Sequence, residues 1–356
     1  FQLVTDGKYR EVDQADLDQA LAKVAVAAEK LPAELGPLTE FEAWTATAAL
    51  LFAQAGVTEA VFEVGLGGRL DATTALPAEL AIITPIAYDH LDRLGTTLTC
   101  IAQEKAAIIR PGQKVVVAQQ VPEVQVVIEA QAQQEQATLF LVDGYTGISY
   151  QPNGTLLAWR SQTGQSYQFT LGLLGQHQVA NAAIALTAVE VWQGNAVIAN
   201  DQSRAQLGQM LAEAVWPGRF ELLRYQQQPV LLDVGHNPHG IRSFLENLNL
   251  YFPHTPKWGI FGGLRDKDYQ TSLAYLAETS FQKLIFTEPW SERRVTVADL
   301  AAAYQGSQPV ELEPDLLTAL DRGLAGAAQD SALLVVFGSF FLIGPVRSRL
   351  KGAVPL

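Results

Sequence analysis

From Val61 to Thr73 an apolar run carrying one carboxylate, Val61-Phe62-Glu63-Val64, breaks into the glycine-rich stretch Gly65-Leu66-Gly67-Gly68-Arg69-Leu70-Asp71-Ala72-Thr73. A continuous apolar run, unlike an alternating one, reads as a strand buried on both faces, and such strands belong to parallel sheets covered by helices. A charge at the end of a buried strand needs a partner or a metal, which singles out Glu63. The glycines allow backbone N–H groups to approach a ligand closely. On its own the stretch also fits a strand followed by a tight surface turn.

The same rhythm recurs on either side. Helical spacing runs from Gln14 to Ala33 (Leu17, Leu21, Val24, Ala28) and ends at Pro32. A loop from Gly36 to Glu42 enters a second helix reaching Ala55, with Thr39 and Glu42 placed as a capping box. Ala60–Val64 and Ala81–Ala87 read as buried parallel strands, a helix follows from about Thr96 to Ile109, and Lys114–Gln119 is a further strand before a Gln- and Ala-rich helix to Ala137. Between Thr138 and Leu174 the pattern shifts to short alternating stretches broken at Asn153-Gly154 and Thr163-Gly164, the mark of a small antiparallel sheet. Helices return at Gln178–Trp192 and after Ser203, and Trp216-Pro217-Gly218 is the expected domain boundary. Beyond it, strands expected at 229–234, 258–262, 283–287 and 332–337 alternate with helices, so the C-terminal part reads as a doubly wound, Rossmann-like domain.

With 356 residues and 48% hydrophobic content the chain can bury the cores of two domains. A formal net charge of −13 argues against nucleic acid as a partner, because phosphate contacts need Lys and Arg. No apolar run reaches the ~20 residues that span a bilayer, and Phe1–Asp6 has neither a basic nor a long apolar segment of a signal peptide. The single cysteine, Cys100, fits a reducing compartment, so the cytoplasm is the expected location. Met210 is the only methionine, so an initiator and further sequence are expected upstream of Phe1.

Strand C-terminal ends share one crevice in a parallel sheet. Glu63 and His90, each just past such an end, could therefore offer an oxygen and an imidazole to one divalent cation. Oxygen ligands suit Mg²⁺, with phosphates and waters completing the shell. Alone, His90 reads equally as a hydrogen-bonded loop histidine and Lys105 as a surface lysine.

The ordered set of motifs resembles one family. Glu63-Val64-Gly65-Leu66-Gly67-Gly68-Arg69-Leu70-Asp71, Asp89-His90-Leu91-Asp92-Arg93-Leu94-Gly95 and Gln103-Glu104-Lys105-Ala106 are followed by Gly175-Gln176-His177-Gln178-Val179-Ala180-Asn181 and Trp216-Pro217-Gly218-Arg219-Phe220-Glu221. Asp233-Val234-Gly235-His236-Asn237-Pro238, Asp266-Lys267-Asp268 and Gly338-Ser339-Phe340-Phe341-Leu342-Ile343-Gly344 complete it. Together they look like the folylpolyglutamate synthase / dihydrofolate synthase family of the Mur ligase superfamily, in collinear order over nearly the whole chain. The resemblance implies an α/β fold. A Mur-ligase-like ATP-binding domain (1–216) would combine a parallel sheet and helices with a small antiparallel sheet, and a C-terminal Rossmann-like domain (219–356) would follow. It implies ATP as co-substrate and Mg²⁺ held by Glu63, His90 and Lys105, the last matching a lysine that is carbamylated in the family. It implies His177, Gln178 and Asn181 on the adenine side, Arg219 at the phosphates, and Asp233 and His236 closing onto the nucleotide. Lys105, Arg219 and His236 are the expected catalytic residues.

The implied reaction is amide formation between L-glutamate and a dihydropteroate or reduced folate carboxylate, through an acyl phosphate, in a monomer whose domains close about Pro217-Gly218 to exclude water. Pro37-Leu38-Thr39-Glu40-Phe41-Glu42 resembles the loop beside the pterin site, with Thr39 and Phe41 as substrate contacts, Phe41 by stacking; a plain helix cap with an apolar anchor is the alternative. That loop favours folate over a peptidoglycan-type Mur substrate. The charged loops Arg265–Asp268 and Ser291–Arg294 are the expected neighbourhood of glutamate, or else a solvated face.

One family feature has no counterpart. A phosphate-cradling Gly-x-x-Gly-Lys-Ser/Thr loop is absent: Gly7-Lys8 is followed by Tyr9 and Gly112-Gln113-Lys114 by Val115. In the family that loop lies upstream of the region matching 1–21, so the chain is expected to lack a first strand, the loop and its helix. The alternative is a catalytically impaired folate- or nucleotide-binding homologue.

Overall fold

The structure, a computed structural model, describes residues 2–5 and 8–355; Gly7 of the Gly7-Lys8 pair lies outside them. By contacts the chain divides into two compact units, Phe1–Leu141 and Val142–Leu356.

In the first unit a hairpin of β1 (Gln2–Thr5) and β2 (Lys8–Glu11) precedes α1 (Gln14–Ala28) and α2 (Glu40–Gln54). The capping box is formed as expected: Thr39 Oγ1 accepts the Glu42 N–H at 3.3 Å and the Glu42 carboxylate accepts the Thr39 N–H at 2.7 Å. Then follow β3 (Leu80–Ile83), α3 (Leu91–Leu94), α4 (Leu98–Ala106), β4 (Lys114–Val117), α5 (Pro122–Gln134) and β5 (Thr138–Leu141). The strands form a parallel sheet in the order β3-β4-β5. Val115, Val116 and Val117 of the central strand are fully buried, and Val115 and Val117 pack with Ile101, Ala102 and Ile128 from the helices.

Two sequence expectations change here. Thr138–Leu141 joins the parallel sheet rather than the antiparallel one. The stretch 60–64 is not a strand: no ladder pairs it among the described residues, and Val61 is 93% exposed. An apolar run becomes a strand only when a neighbour takes up its backbone groups, and periodicity cannot supply the neighbour.

The second unit opens with an antiparallel sheet of β6 (Tyr145–Gln151), β7 (Gly154–Arg160) and β8 (Ser166–Leu171), turning at the two predicted glycine sites. The helices α6 (Gln176–Gln193), α7 (Ala196–Ala199) and α8 (Asp201–Glu213) follow. Next come β9 (Glu221–Tyr225), β10 (Gln228–Asp233), α9 (Pro238–Tyr251), β11 (Lys257–Phe261), α10 (Tyr269–Ala277) and β12 (Lys283–Phe286). The chain ends with α11 (Val297–Ala303), β13 (Val310–Leu312), α12 (Leu316–Gln329), β14 (Leu333–Phe337), α13 (Phe340–Arg349) and β15 (Val354–Pro355).

Seven strands lie in the order β13-β12-β11-β14-β10-β9-β15. β10 to β14 are mutually parallel, with antiparallel β9 and β15 at one edge. The chain leaves β10 for β11, runs outward to β13, and returns to insert β14 between β10 and β11. That is a topological switch point, and ligands of such sheets bind outside the strand C-terminal ends there. A phenylalanine-rich core (Phe244, Phe261, Phe286, Phe337) covers one face and an aliphatic one (Leu232, Ile260, Leu320, Val336) the other.

A buried polar latch ties the antiparallel sheet and α6 to α9. The Tyr251 hydroxyl is bonded to Thr155 Oγ1 and accepts the Gly175 N–H at 2.8 Å, while Asn247 Oδ1 accepts the Gln176 N–H at 2.8 Å. Tyr251 and Asn247 are 4% and 3% exposed, so water cannot replace these bonds. Tyr251→Phe strands the Gly175 N–H and is expected to cost about 1–3 kcal/mol in urea unfolding; an unchanged midpoint would show the latch to be dispensable.

Candidate active site

In the first unit the glycine-rich turn is wrapped round one carboxylate. Asp71 Oδ2 accepts the Gly65 and Leu66 N–H groups at 3.0 Å each, and Oδ1 accepts the Thr73 N–H at 2.9 Å and its hydroxyl at 2.6 Å. Burial alone would raise the Asp71 carboxyl, but the Thr73 hydroxyl and the three backbone donors outweigh it and hold it below its ordinary value. The glycines serve close approach. A Cβ on Gly65 would stand 2.6 Å from the Phe41 ring, and one on Gly68 2.7 Å from the Glu104 carbonyl oxygen and 3.2 Å from that of Lys105. Arg69 completes the docking, its N–H on the Glu104 carbonyl at 3.0 Å and its Nε on the Glu104 carboxylate at 2.9 Å. The turn thus brings together the start of α2, with Phe41, and the end of α4, with Lys105.

Phe41 lies over Gly65 and remains 43% exposed, able to stack on a flat ring. Thr39 spends its hydroxyl on the cap, donating to the Glu42 carboxylate at 2.7 Å. Lys105 is half-buried in the last turn of α4. Glu63 and His90 are exposed. His90 has a left-handed backbone (φ 49°, ψ 46°) at the start of α3, uncommon for a non-glycine residue, and its imidazole lies 3.7 Å from the Asp89 carboxylate. No cluster of three or more His, Cys, Asp or Glu able to hold a metal exists among the described residues. Mg²⁺ does not need such a cluster, since substrate phosphates and water commonly fill most of its shell beside one or two protein ligands.

In the second unit the switch point collects the other candidates. Asp233, at the end of β10, accepts the Phe220 N–H through Oδ2 at 2.9 Å and the Gly235 N–H through Oδ1 at 2.7 Å, tying the turns on either side of it. Burial pushes its carboxyl up to about 6, against the pull of those donors and of Arg219. Phe220 itself is left-handed (φ 49°), and the Gly218 N–H is held at 2.8 Å by Glu221, whose carboxylate meets Arg347 at 3.1 Å. The backbone around Arg219 is therefore pinned, while its side chain is exposed and has no ion pair among the described residues. By contrast Arg293 pairs with Asp266 at 2.8 Å and Arg294 with Glu288 at 2.7 Å, so these arginines of the charged loops already have acidic partners.

Burial lowers the pKa of the His177 imidazole, and the charge of Arg219 lowers it further. Gln178, buried at the N-terminus of α6, accepts from Asn181 Nδ2 at 3.0 Å. His236 is oriented by the Val234 carbonyl, 3.1 Å from Nδ1. The Phe340 ring, at the start of α13, lies 5.7 Å from the Arg219 guanidinium and 5.5 Å from the His236 ring. Sequence reasoning quoted the motif but assigned Phe340 no role, since Phe340-Phe341-Leu342-Ile343 reads as core.

This fold and this switch-point site define a Mur ligase: the Mur ligase middle domain matches residues 17–189 and the Mur ligase, glutamate ligase domain matches 218–340. The chain is 33% identical over 323 residues to the dihydrofolate synthase/folylpolyglutamate synthase of Bacillus subtilis, covering 89% of this chain and 74% of that one. It is 33% identical over 341 residues to that of Mycobacterium tuberculosis, covering 88% and 69%. Among solved structures, folylpolyglutamate synthase from Thermotoga maritima superposes with a TM-score of 0.81 at 28% identity, covering 97% of this chain and 78% of that one. The M. tuberculosis enzyme complexed with ADP and AMPPCP gives 0.79 at 30% identity, covering 97% and 80%. The chain belongs to the dihydrofolate synthase/folylpolyglutamate synthase family.

Two outcomes test the electrostatics. Asp71→Ala should cost about 3 kcal/mol in urea unfolding at pH 7. Because the folded carboxyl lies below its ordinary value, that contribution is present above 3.8 and lost as pH falls through the native value, so variant and parent should converge in acid. Asp233 has the opposite sign: its native value lies above 3.8, so its share of stability is greatest below 3.8 and is lost as pH rises through about 6. Asp233→Asn should flatten the stability profile over that interval; an unaltered profile would contradict the assignment.

Proposed function

We propose that this chain is an ATP-dependent ligase joining L-glutamate to a dihydropteroate or reduced folate carboxylate. The substrate carboxylate attacks the γ-phosphorus of ATP, ADP departs, and the glutamate amine attacks the resulting acyl carbon. Phosphate then leaves the tetrahedral intermediate, and the amine's surplus proton passes to solvent. The observation that carries the reading is the switch-point cluster of the second unit. There Arg219, exposed and without an ion pair among the described residues, and His236, oriented by the Val234 carbonyl, lie on either side of β9 and β10 in the chain, and the Phe340 ring after β14 contacts both. Arg219 and His236 are suited to stabilise charge that builds on phosphoryl oxygens. His177, Gln178 and Asn181 take the adenine side, and Asp233 holds the turns that present Arg219 and His236 to the nucleotide. Thr39 and Phe41 border the folate ring.

Glu63 and His90 would hold Mg²⁺, with a carbamylated Lys105 supplying a further carboxylate-like oxygen. A Mg²⁺ ion held by them would supply neutralisation of charge on phosphoryl oxygens. We further assign the domains as 1–216 and 219–356, and the protein as a cytoplasmic monomer acting on small molecules, with neither nucleic acid nor membrane as partner. No helix among the described residues is long and apolar enough to cross a membrane. A second reading, a homologue that binds nucleotide or folate without turnover, is separated from the first by experiment.

Phosphate release that requires ATP, Mg²⁺, dihydropteroate (or a reduced folate) and glutamate together decides between them. Nucleotide binding without release supports the second reading, and neither binding nor release sinks both. In an active preparation Lys105→Ala should lose turnover and regain part of it with added short carboxylic acids; undiminished turnover would remove Lys105 from the site.

A further inference from the structure

Phe340 is placed where packing does not need it. It is 52% exposed, whereas Leu342, Ile343 and Val346 of the same helix are the residues that fill the core. Yet its position is tightly fixed. Gly338 has a left-handed φ of 121° and lies so close to the Gly262 carbonyl oxygen that a Cβ would come within 2.4 Å. Ser339, fully buried, caps α13 by accepting the Phe341 N–H at 3.1 Å. An apolar ring held half in water by a rigid turn meets two candidate site residues, one by a cation–π contact and one ring to ring. The Arg219 guanidinium carbon is 5.7 Å from the ring centroid, and the His236 ring is 5.5 Å away at 50°. The backbone of Arg219 is pinned on both sides, but its guanidinium has no ion pair among the described residues. A long, solvated side chain in that state would sample many rotamers, and the negative face of an aromatic ring narrows the choice.

We propose that Phe340 is a positioning residue: its ring face parks the Arg219 guanidinium and sets its spacing from His236, so that both present to the same phosphoryl group. The proposal rests on the reading of Arg219 and His236 as phosphate-facing. The adjacent Phe341 carries Arg293, 5.5 Å from its centroid, with the Asp266 carboxylate holding that guanidinium as well at 2.8 Å. That second pair gives an internal reference, because it does not involve Arg219 or His236.

The test uses the full chain and two readouts. Phenylglyoxal labelling, read at Arg219 and Arg293 by peptide mass spectrometry, reports how far each guanidinium is held on its ring; the affinity for ADP reports what that holding does. In Phe340→Ala, labelling of Arg219 relative to Arg293 should rise about two- to fivefold, and ADP affinity should fall by a similar factor. Phe340→Tyr and Phe340→Trp should restore both, while Phe340→Leu, which keeps apolar bulk without a ring face, should not. A misfolded variant would expose Arg293 as well and is thereby recognised. Unchanged Arg219 labelling in Phe340→Ala, or full rescue by Phe340→Leu, would overturn the proposal and leave the ligase reading intact. Failure of the parent chain to bind ADP would count against the nucleotide reading, while the labelling ratio would still decide whether the ring holds the guanidinium.

Discussion

Carboxylates that accept backbone N–H bonds hold the turns on which the candidate site is built. Asp71 gathers Gly65, Leu66 and Thr73; Asp233 gathers Phe220 and Gly235; Glu221 takes Gly218; and Glu190, buried, takes Gln162 at the β7–β8 turn. A turn leaves its N–H groups pointing inward with no ladder to satisfy them, and a short acidic side chain can collect two or three at once. The arrangement fixes backbone without an extended element, so Arg219 and His236 can sit in irregular segments and still be precisely held at their Cα atoms. It also accounts for much of the acidic side-chain chemistry in the unit 142–356: Asp233, Glu221 and Glu190 serve the backbone first.

The latch on α9 plays a complementary part. The two family domains meet between residues 189 and 218, yet the contact-defined unit runs from Val142 to Leu356, and the expected boundary at Trp216–Gly218 falls inside it. The physical reason lies in Tyr251 and Asn247, which belong to the glutamate ligase domain but satisfy the first N–H groups of α6, in the middle domain. Leu174 packs into the same phenylalanine-rich core as Phe220 and Phe244. The helix that carries His177, Gln178 and Asn181 is thus fixed relative to the strand ends that carry Asp233 and His236. Both groups of residues are organised within one unit before any ligand arrives.

Much of this could be read from the residues, and where it could not the reason is specific. The capping box at Thr39 and Glu42, the two glycine turns of the antiparallel sheet and the alternation from 229 to 337 are local signals, and each appears where expected. Missed were β1, β2, β9, β13 and β15, short strands whose existence depends on a neighbouring edge rather than on their own pattern. The run 60–64 failed in the opposite sense, since its composition suits a strand and no partner is present among the described residues. Phe340 was illegible for a third reason. Phe340, Phe341, Leu342 and Ile343 form one apolar run in sequence, and only the rotation of α13 decides that the two rings are exposed while Leu342 and Ile343 are buried.

Arg219 is set apart from Arg293 and Arg294 at these strand ends by the same economy of charge. Arg293 and Arg294 have acidic partners, and Glu221 is engaged by Arg347 as well as by the backbone. Asp233 is the acid whose charge Arg219 senses, but its oxygens accept from Phe220 and Gly235, and burial holds its carboxyl near 6. Part of its electrostatic pull is therefore already spent on the turn, and Arg219 is left with a ring face in place of an ion pair. A guanidinium paired to a carboxylate must give up that bond to bind phosphate. One resting on an aromatic face keeps that contact and still has its in-plane N–H donors to offer. The lowered pKa of His177 points the same way: burial is its larger cause, and the charge of Arg219 adds to it because a second cation there would be repelled.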